Sequence, residues 1–199
     1  MSKKANFILD LDQTLVSAEP TEEFKPKSDR NFIKHNMDGY YFVFERPHLQ
    51  DFLTFLFDNF NVSIWTAATK DYALYIIDNI ILKKNSSRKL DYVFFAYHCN
   101  ISEDHKNATK ALAMFWDVYK MPGYNKCNTI ILDDYDEVCE SQPKNCIPIP
   151  QFEYNNNNSI NDNFLQKLIP ELKKLAENYE KGGDIRENIK MINKNLIKG

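Results

Sequence analysis

The sequence predicts a three-layer α/β fold: a central parallel sheet, helices on both faces, and a small β-hairpin inserted after the first strand. Two observations carry this reading. Short apolar runs at Phe7–Leu9, Asn61–Trp65 and Asn128–Leu132 alternate with longer stretches whose apolar residues recur at helical spacing. Each run also ends in residues able to do chemistry: Asp10 and Asp12, then Thr66, then Asp133 and Asp134. The carboxyl ends of parallel strands share one edge, so these three clusters converge there.

The first strand sits in the stretch Ala5–Val16, ANFILDLDQTLV. In extended chain, residues i and i+2 point the same way, so Asp10 and Asp12 emerge together. Burying two like charges side by side is costly unless a cation or a proton intervenes. A divalent metal at the strand's end, with one acid kept for chemistry, meets that condition.

Gln13–Asp29, polar and carrying Pro20 and Pro26, reads as a loop. Asn31–His35 and Tyr40–Glu45 then read as a hairpin turned by Asp38-Gly39, a wall for a substrate cleft beside Asp10. Arg46-Pro47-His48 opens a helix with Leu49, Phe52, Leu53 and Leu56 on one face. A strand at Asn61–Trp65 leads through Thr66 to Thr69, the cap of a helix faced by Ala73, Ile76, Ile77 and Ile80. After a solvated basic connection, Lys83–Lys89, come a strand at Tyr92–Tyr97 and a helix at Asn107–Tyr119. Strands at Asn128–Leu132 and Cys146–Ile149 follow. Leu165, Leu168, Leu172 and Leu175 mark a long amphipathic helix. Gly182-Gly183 breaks it before a last helix, Asp184–Ile197. The organisation expected is one domain over 1–181, with the insertion at about 30–45, and a helix in 182–199 packed on it.

The 199 residues, 43% hydrophobic and 14% aromatic, suffice for a real core. A net charge of −3 gives no general attraction to nucleic acid or anionic membranes, so any phosphate binding is local. No stretch reads as a signal peptide or membrane span. Cys99, Cys127, Cys139 and Cys146 show no zinc spacing and read as reduced thiols of an intracellular protein, in cytoplasm or nucleus. His98 and His105, which flank Cys99, read as loop or half-buried histidines.

Asp10–Val16, DLDQTLV, resembles the first motif of the haloacid-dehalogenase (HAD) superfamily. The likeness is most specific to the FCP/SCP-type, NLI-interacting-factor-like phosphatases of the RNA polymerase II C-terminal tail. FERPHLQDFL at Phe44–Leu53, WTAATKDYA at Trp65–Ala73 and ILDDYDEV at Ile131–Val138 carry it. The Cys99–Lys110 region, NCIPIPQF at Asn145–Phe152, LQKLIPELKKLAE at Leu165–Glu177 and Asp184-Ile185-Arg186 extend it across nearly the whole chain. The chain departs from the pattern at Phe95–His98, where such enzymes often place an Arg, and over Ile101–Ala108.

The resemblance implies a HAD-like Rossmannoid fold and a Mg²⁺-dependent phosphatase acting on phosphoserine or phosphothreonine in a protein. Asp10 would attack phosphorus and Asp12 would shuttle the proton. Thr66 would bind phosphoryl oxygens, Lys110 would neutralise charge, and Asp133 would orient Lys110 or water bound beside the metal. Mg²⁺ would take Asp10, the main-chain carbonyl of Asp12, and Asp134. The expected partner is a phosphorylated protein or peptide bound by a monomer, without direct nucleic-acid or membrane contact. The alternatives are a small-molecule or nucleotide phosphatase of the same type, and a non-catalytic phosphatase-like binding domain.

Overall fold

The computed structural model describes residues 3–25, 31–83 and 87–196. Its centre is β1 (Ala5–Leu9), buried along its whole length. Parallel pairing joins it to β5 (Phe60–Trp65) on one side and β7 (Thr129–Asp133) on the other. With β6 (Leu90–Phe94) and β8 (Cys146–Pro148) the sheet runs β6-β5-β1-β7-β8.

The two-residue period of a strand builds the layers. Phe7, Leu9, Ile130 and Leu132 enter one core, shared with α1 (Leu49–Asn59), α2 (Lys70–Ile76), α5 (Phe164–Glu180) and α6 (Ile185–Leu196). The helices contribute Phe52, Leu56, Ile76, Leu168, Leu172 and Ile189, among others. Ile8 and Ile131, of opposite parity, enter a second core with Trp65, Phe94, Leu112, Phe115 and Val138. That core lies beneath α3 (Ala96–Lys106), a π-helical turn at Met114–Val118, and α4 (Asp136–Ser141).

A second, antiparallel sheet, β2-β4-β3, forms the insertion from β2 (Val16–Pro20), β3 (Lys34–Met37) and β4 (Tyr41–Glu45). Asp38 and Gly39 turn the hairpin with φ of 49° and 81°, a conformation that Asp tolerates and Gly adopts freely. Arg46, fully buried, fastens this sheet to the core. Its guanidinium donates to the carbonyls of Thr14 (3.0 Å) and Pro150 (2.9 Å) and to Asp162 Oδ2 (2.7 Å).

Several expectations are corrected. The stretch from Gln13 is not all loop: Val16–Pro20 pairs with Tyr41–Glu45, a partner that arrives more than twenty residues later. The hairpin's first strand runs to Met37 rather than ending at His35. The third strand ends at Phe94, and Tyr97 already belongs to α3. The helix expected over Asn107–Tyr119 is displaced: α3 stops at Asn107, whose φ of 53° is a left-handed terminus. Within that stretch the helix is reduced to Ala113 and a π turn, Met114–Val118. Arg88 is no solvated loop residue; it is buried and donates to Ile81 O at 2.7 Å and Thr54 Oγ1 at 3.0 Å. Cys139 and Cys146 are not thiols but a disulfide, because α4 folds back beside β8 and brings their Cα atoms to 5.1 Å. This removes the thiol argument for an intracellular location. Parts of three expected segments, residues 26–30, 84–86 and Ile197, lie outside the described residues.

Phe52, with no exposed surface, joins α1 to the sheet. Phe52→Ala should lower unfolding free energy by about 3–5 kcal/mol in urea titration, as large-to-small changes in a closed core do.

Candidate active site

The parity that sends Ile8 and Ile131 into the second core also sends Asp10 and Asp133 to that side of the sheet's carboxyl edge. Lys110 meets them there. Its Nζ donates to Asp10 Oδ1 at 2.6 Å and to Asp133 Oδ2 at 2.8 Å, and all three residues are at least 95% buried. Burial alone would depress the lysine's pKa; the two carboxylates outweigh it, and Lys110 is held above its ordinary value. Lys110 does not open a helix, as the sequence suggests, but stands in a loop with φ of 50°.

Asp133 is further fixed by the Tyr135 N–H, which donates to Oδ1 at 3.0 Å. Burial, with Asp10 alongside, pushes the Asp133 carboxyl up, and Lys110 pulls it back. The carboxylate of Asp134, the next residue, accepts from Thr14 Oγ1 at 2.8 Å. Burial raises its pKa also.

Asp12 follows β1 at the start of the turn that leads into β2. Its Oδ1 accepts a short hydrogen bond from the hydroxyl of Tyr72, a residue of α2. Burial raises Asp12 to about 6; the Tyr72 bond works against that, and the charge on Asp10 adds to it. Tyr72 packs edge-on against Tyr41 of β4, ring centroids 5.8 Å apart, so the insertion reaches the site through this pair.

Thr66, fully buried after β5, accepts the Ala68 N–H on its hydroxyl at 3.0 Å. The hydroxyl's own proton remains to be donated to a ligand. Thr69 stands at the N-cap of α2 but forms no side-chain cap bond. His98 is occupied structurally, accepting the Phe95 N–H and stacking on Phe94.

Asp10, Asp12, Lys110, Asp133 and Asp134 are thus one cluster, in which the ammonium of Lys110 bonds Asp10 and Asp133. Carboxylate oxygens of Asp10, Asp133 and Asp134 lie within 4.8 Å of one another. An all-oxygen set with this excess of negative charge suits a hard divalent cation such as Mg²⁺ better than a softer metal. Asp133 joins Asp10 and Asp134 in this set of side-chain oxygens.

Sequence reasoning missed four residues that organise the cluster: Thr14, Arg46, Tyr72 and Gln142. Thr14 carried a readable signal, since it continues the alternation Asp10, Asp12, Thr14. Arg46 lay in a quoted motif without a role. Nothing in the sequence pairs Tyr72 or Gln142 with the site.

The family model described as NLI interacting factor-like phosphatase matches residues 6–186, most of the chain. The chain belongs to that family. It is 45% identical over 172 residues to the CTD phosphatase-like protein 355R of Invertebrate iridescent virus 6, covering 82% of this chain and 94% of the relative. The protein of the same description from Invertebrate iridescent virus 3 is 37% identical over 177 residues, covering 84% and 94%. The solved structure of Fcp1, an essential RNA polymerase II CTD phosphatase, superposes with a TM-score of 0.67 over 94% of this chain and 70% of that one. At 16% identity this likeness speaks to the fold, the HAD-like arrangement of a five-stranded parallel sheet between helices. Membership of this phosphatase family makes the polar cluster at the sheet's carboxyl edge the candidate active site. No helix among the described residues is long and apolar enough to cross a membrane.

Tyr72→Phe deletes the hydroxyl bonded to Asp12 and leaves the ring against Tyr41. Turnover of an aryl phosphate should fall about tenfold, the scale of a general acid losing its alignment, while urea stability changes by less than about 1.5 kcal/mol.

Proposed function

We propose that the chain is a Mg²⁺-dependent protein serine/threonine phosphatase that forms an aspartyl-phosphate on Asp10, with the C-terminal tail of RNA polymerase II as its substrate class. The observation that carries this reading is the buried Lys110, bonded at once to Asp10 and Asp133. A lysine so placed neutralises a carboxylate nucleophile and is at hand for the charge of an arriving phosphoryl group. The names of the viral relatives support the choice of substrate, and so does the small size of the insertion, which leaves room for a peptide.

In this mechanism a carboxylate oxygen of Asp10 attacks phosphorus in line. As the bond to the seryl oxygen breaks, Asp12 gives that oxygen its proton. With a carboxyl poised at about 6, Asp12 can hold a proton and release it near neutral pH. Asp12 then takes a proton from water, which attacks phosphorus and frees Asp10. The Thr66 hydroxyl donates to a phosphoryl oxygen throughout, and Asp133 keeps Lys110 aimed at Asp10. When bound, Mg²⁺ would rest on Asp10, Asp134 and the Asp12 carbonyl, and would offset phosphoryl charge.

Hydrolysis of an aryl phosphate tests the chemistry. Asp10→Asn should reduce kcat by about a thousandfold or more, as loss of a nucleophile does. Chelation by EDTA should abolish turnover and added Mg²⁺ restore it. Undiminished hydrolysis by Asp10→Asn would refute the nucleophile. A panel of phosphopeptides against nucleotides and sugar phosphates tests the substrate: preference for the small molecules would replace this reading with that of a small-molecule phosphatase.

A further inference from the structure

Behind the site lies a segment that takes no part in this chemistry: the loop from Cys139 to Cys146, closed by the disulfide. Gln142 stands inside that ring, at the C-terminal end of α4. Its side-chain oxygen accepts the Leu112 N–H at 2.9 Å, and its side-chain nitrogen donates to the Lys110 carbonyl at 3.0 Å. One amide therefore grips the main chain on both sides of Ala111. From α3, Ser102 holds the same loop, accepting the Ala111 N–H at 2.9 Å and donating to Ala108 O at 2.6 Å. Lys110 needs such support, because a non-glycine residue at a φ of 50° persists only where its surroundings hold it.

α4 has six residues, too few to be stable alone, and it ends at Gln142. The covalent link from Cys139 in α4 to Cys146 in β8 ties this short helix to the sheet. We propose that Gln142 is the positioning residue for Lys110, and that the Cys139–Cys146 bond keeps Gln142 in place, so that catalysis responds to thiol redox state. A dithiol supplies the two electrons: one thiolate attacks a sulfur and breaks the S–S bond. Its second thiol resolves the mixed disulfide, leaving Cys139 and Cys146 as thiols and the reagent as a cyclic disulfide. The freed end of α4 then loosens its hold on Lys110. The proposal rests on the phosphatase reading only for the effect on turnover.

Two measurements on the full chain test it: kcat for an aryl phosphate, and the rate at which acetic anhydride acetylates Lys110, followed by mass spectrometry. Air-oxidised protein is compared with dithiothreitol-treated protein, the thiol state of each being checked by alkylation. Gln142→Met keeps bulk and removes both hydrogen bonds. It should lower kcat about tenfold, the worth of two hydrogen bonds to an aligned group, and speed Lys110 acetylation. Gln142→Glu, which retains the acceptor for Leu112, should fall between. Reduction should reproduce the Gln142→Met behaviour in the wild type and change nothing in Cys139→Ala/Cys146→Ala, with thermal melts showing each protein folded at the assay temperature. Unchanged kcat and acetylation, either in Gln142→Met or on reduction, would overturn the proposal. Should the wild type hydrolyse no phosphate ester, the phosphatase reading falls, and Lys110 acetylation still decides the clamp.

Discussion

The buried ammonium of Lys110, shared between Asp10 and Asp133, is the interaction on which the site depends. Taking one cation and two carboxylates out of water costs several kcal/mol per ion, and only close pairing offsets it. Pairing at 2.6 and 2.8 Å needs β1 and β7 side by side in fixed register, so that two strand ends present acids to one point. The parallel sheet meets that requirement. The carboxylates that Lys110 leaves unneutralised suit this edge to a hard divalent cation.

Around this centre the fold acts through groups outside the cluster itself. Arg46 ties the carbonyl of Thr14 to that of Pro150, after β8, and to Asp162, which holds the turn carrying Asp12 against the sheet. Thr14 orients Asp134, and Tyr72 orients Asp12. The family resemblance stated from sequence and the family match agree on what kind of molecule this is. Chemically important contacts, however, lie between residues that no local pattern links.

The strands and the amphipathic helices were legible because each carries its own period. Ile8 and Ile131 against Phe7 and Leu9, or Leu165 against Leu168 and Leu172, declare their faces without a partner. β2 was not legible: VSAEP becomes strand only by pairing with YFVFE, and nothing within Val16–Pro20 announces it. The helix expected through Lys110 failed for the converse reason. The sequence there has helical composition, but Lys110 takes a left-handed backbone that no helix contains, in a loop held by Gln142 and Ser102. The disulfide escaped notice because an eight-residue span containing Pro143 does not reveal that α4 returns to β8.

By itself the sequence determined the alternation of strand and helix, the edge at which the polar clusters meet, and the identity of the acids and the lysine. These follow from local periodicity and from the rule that parallel strands present their carboxyl ends together. Only the tertiary structure decided that Tyr72 holds Asp12, that Thr14 holds Asp134, and that Gln142 braces the lysine's loop. Each of those is a hydrogen bond between residues 30 to 120 apart in the chain. Distance in sequence carries no information about such bonds until the core has packed.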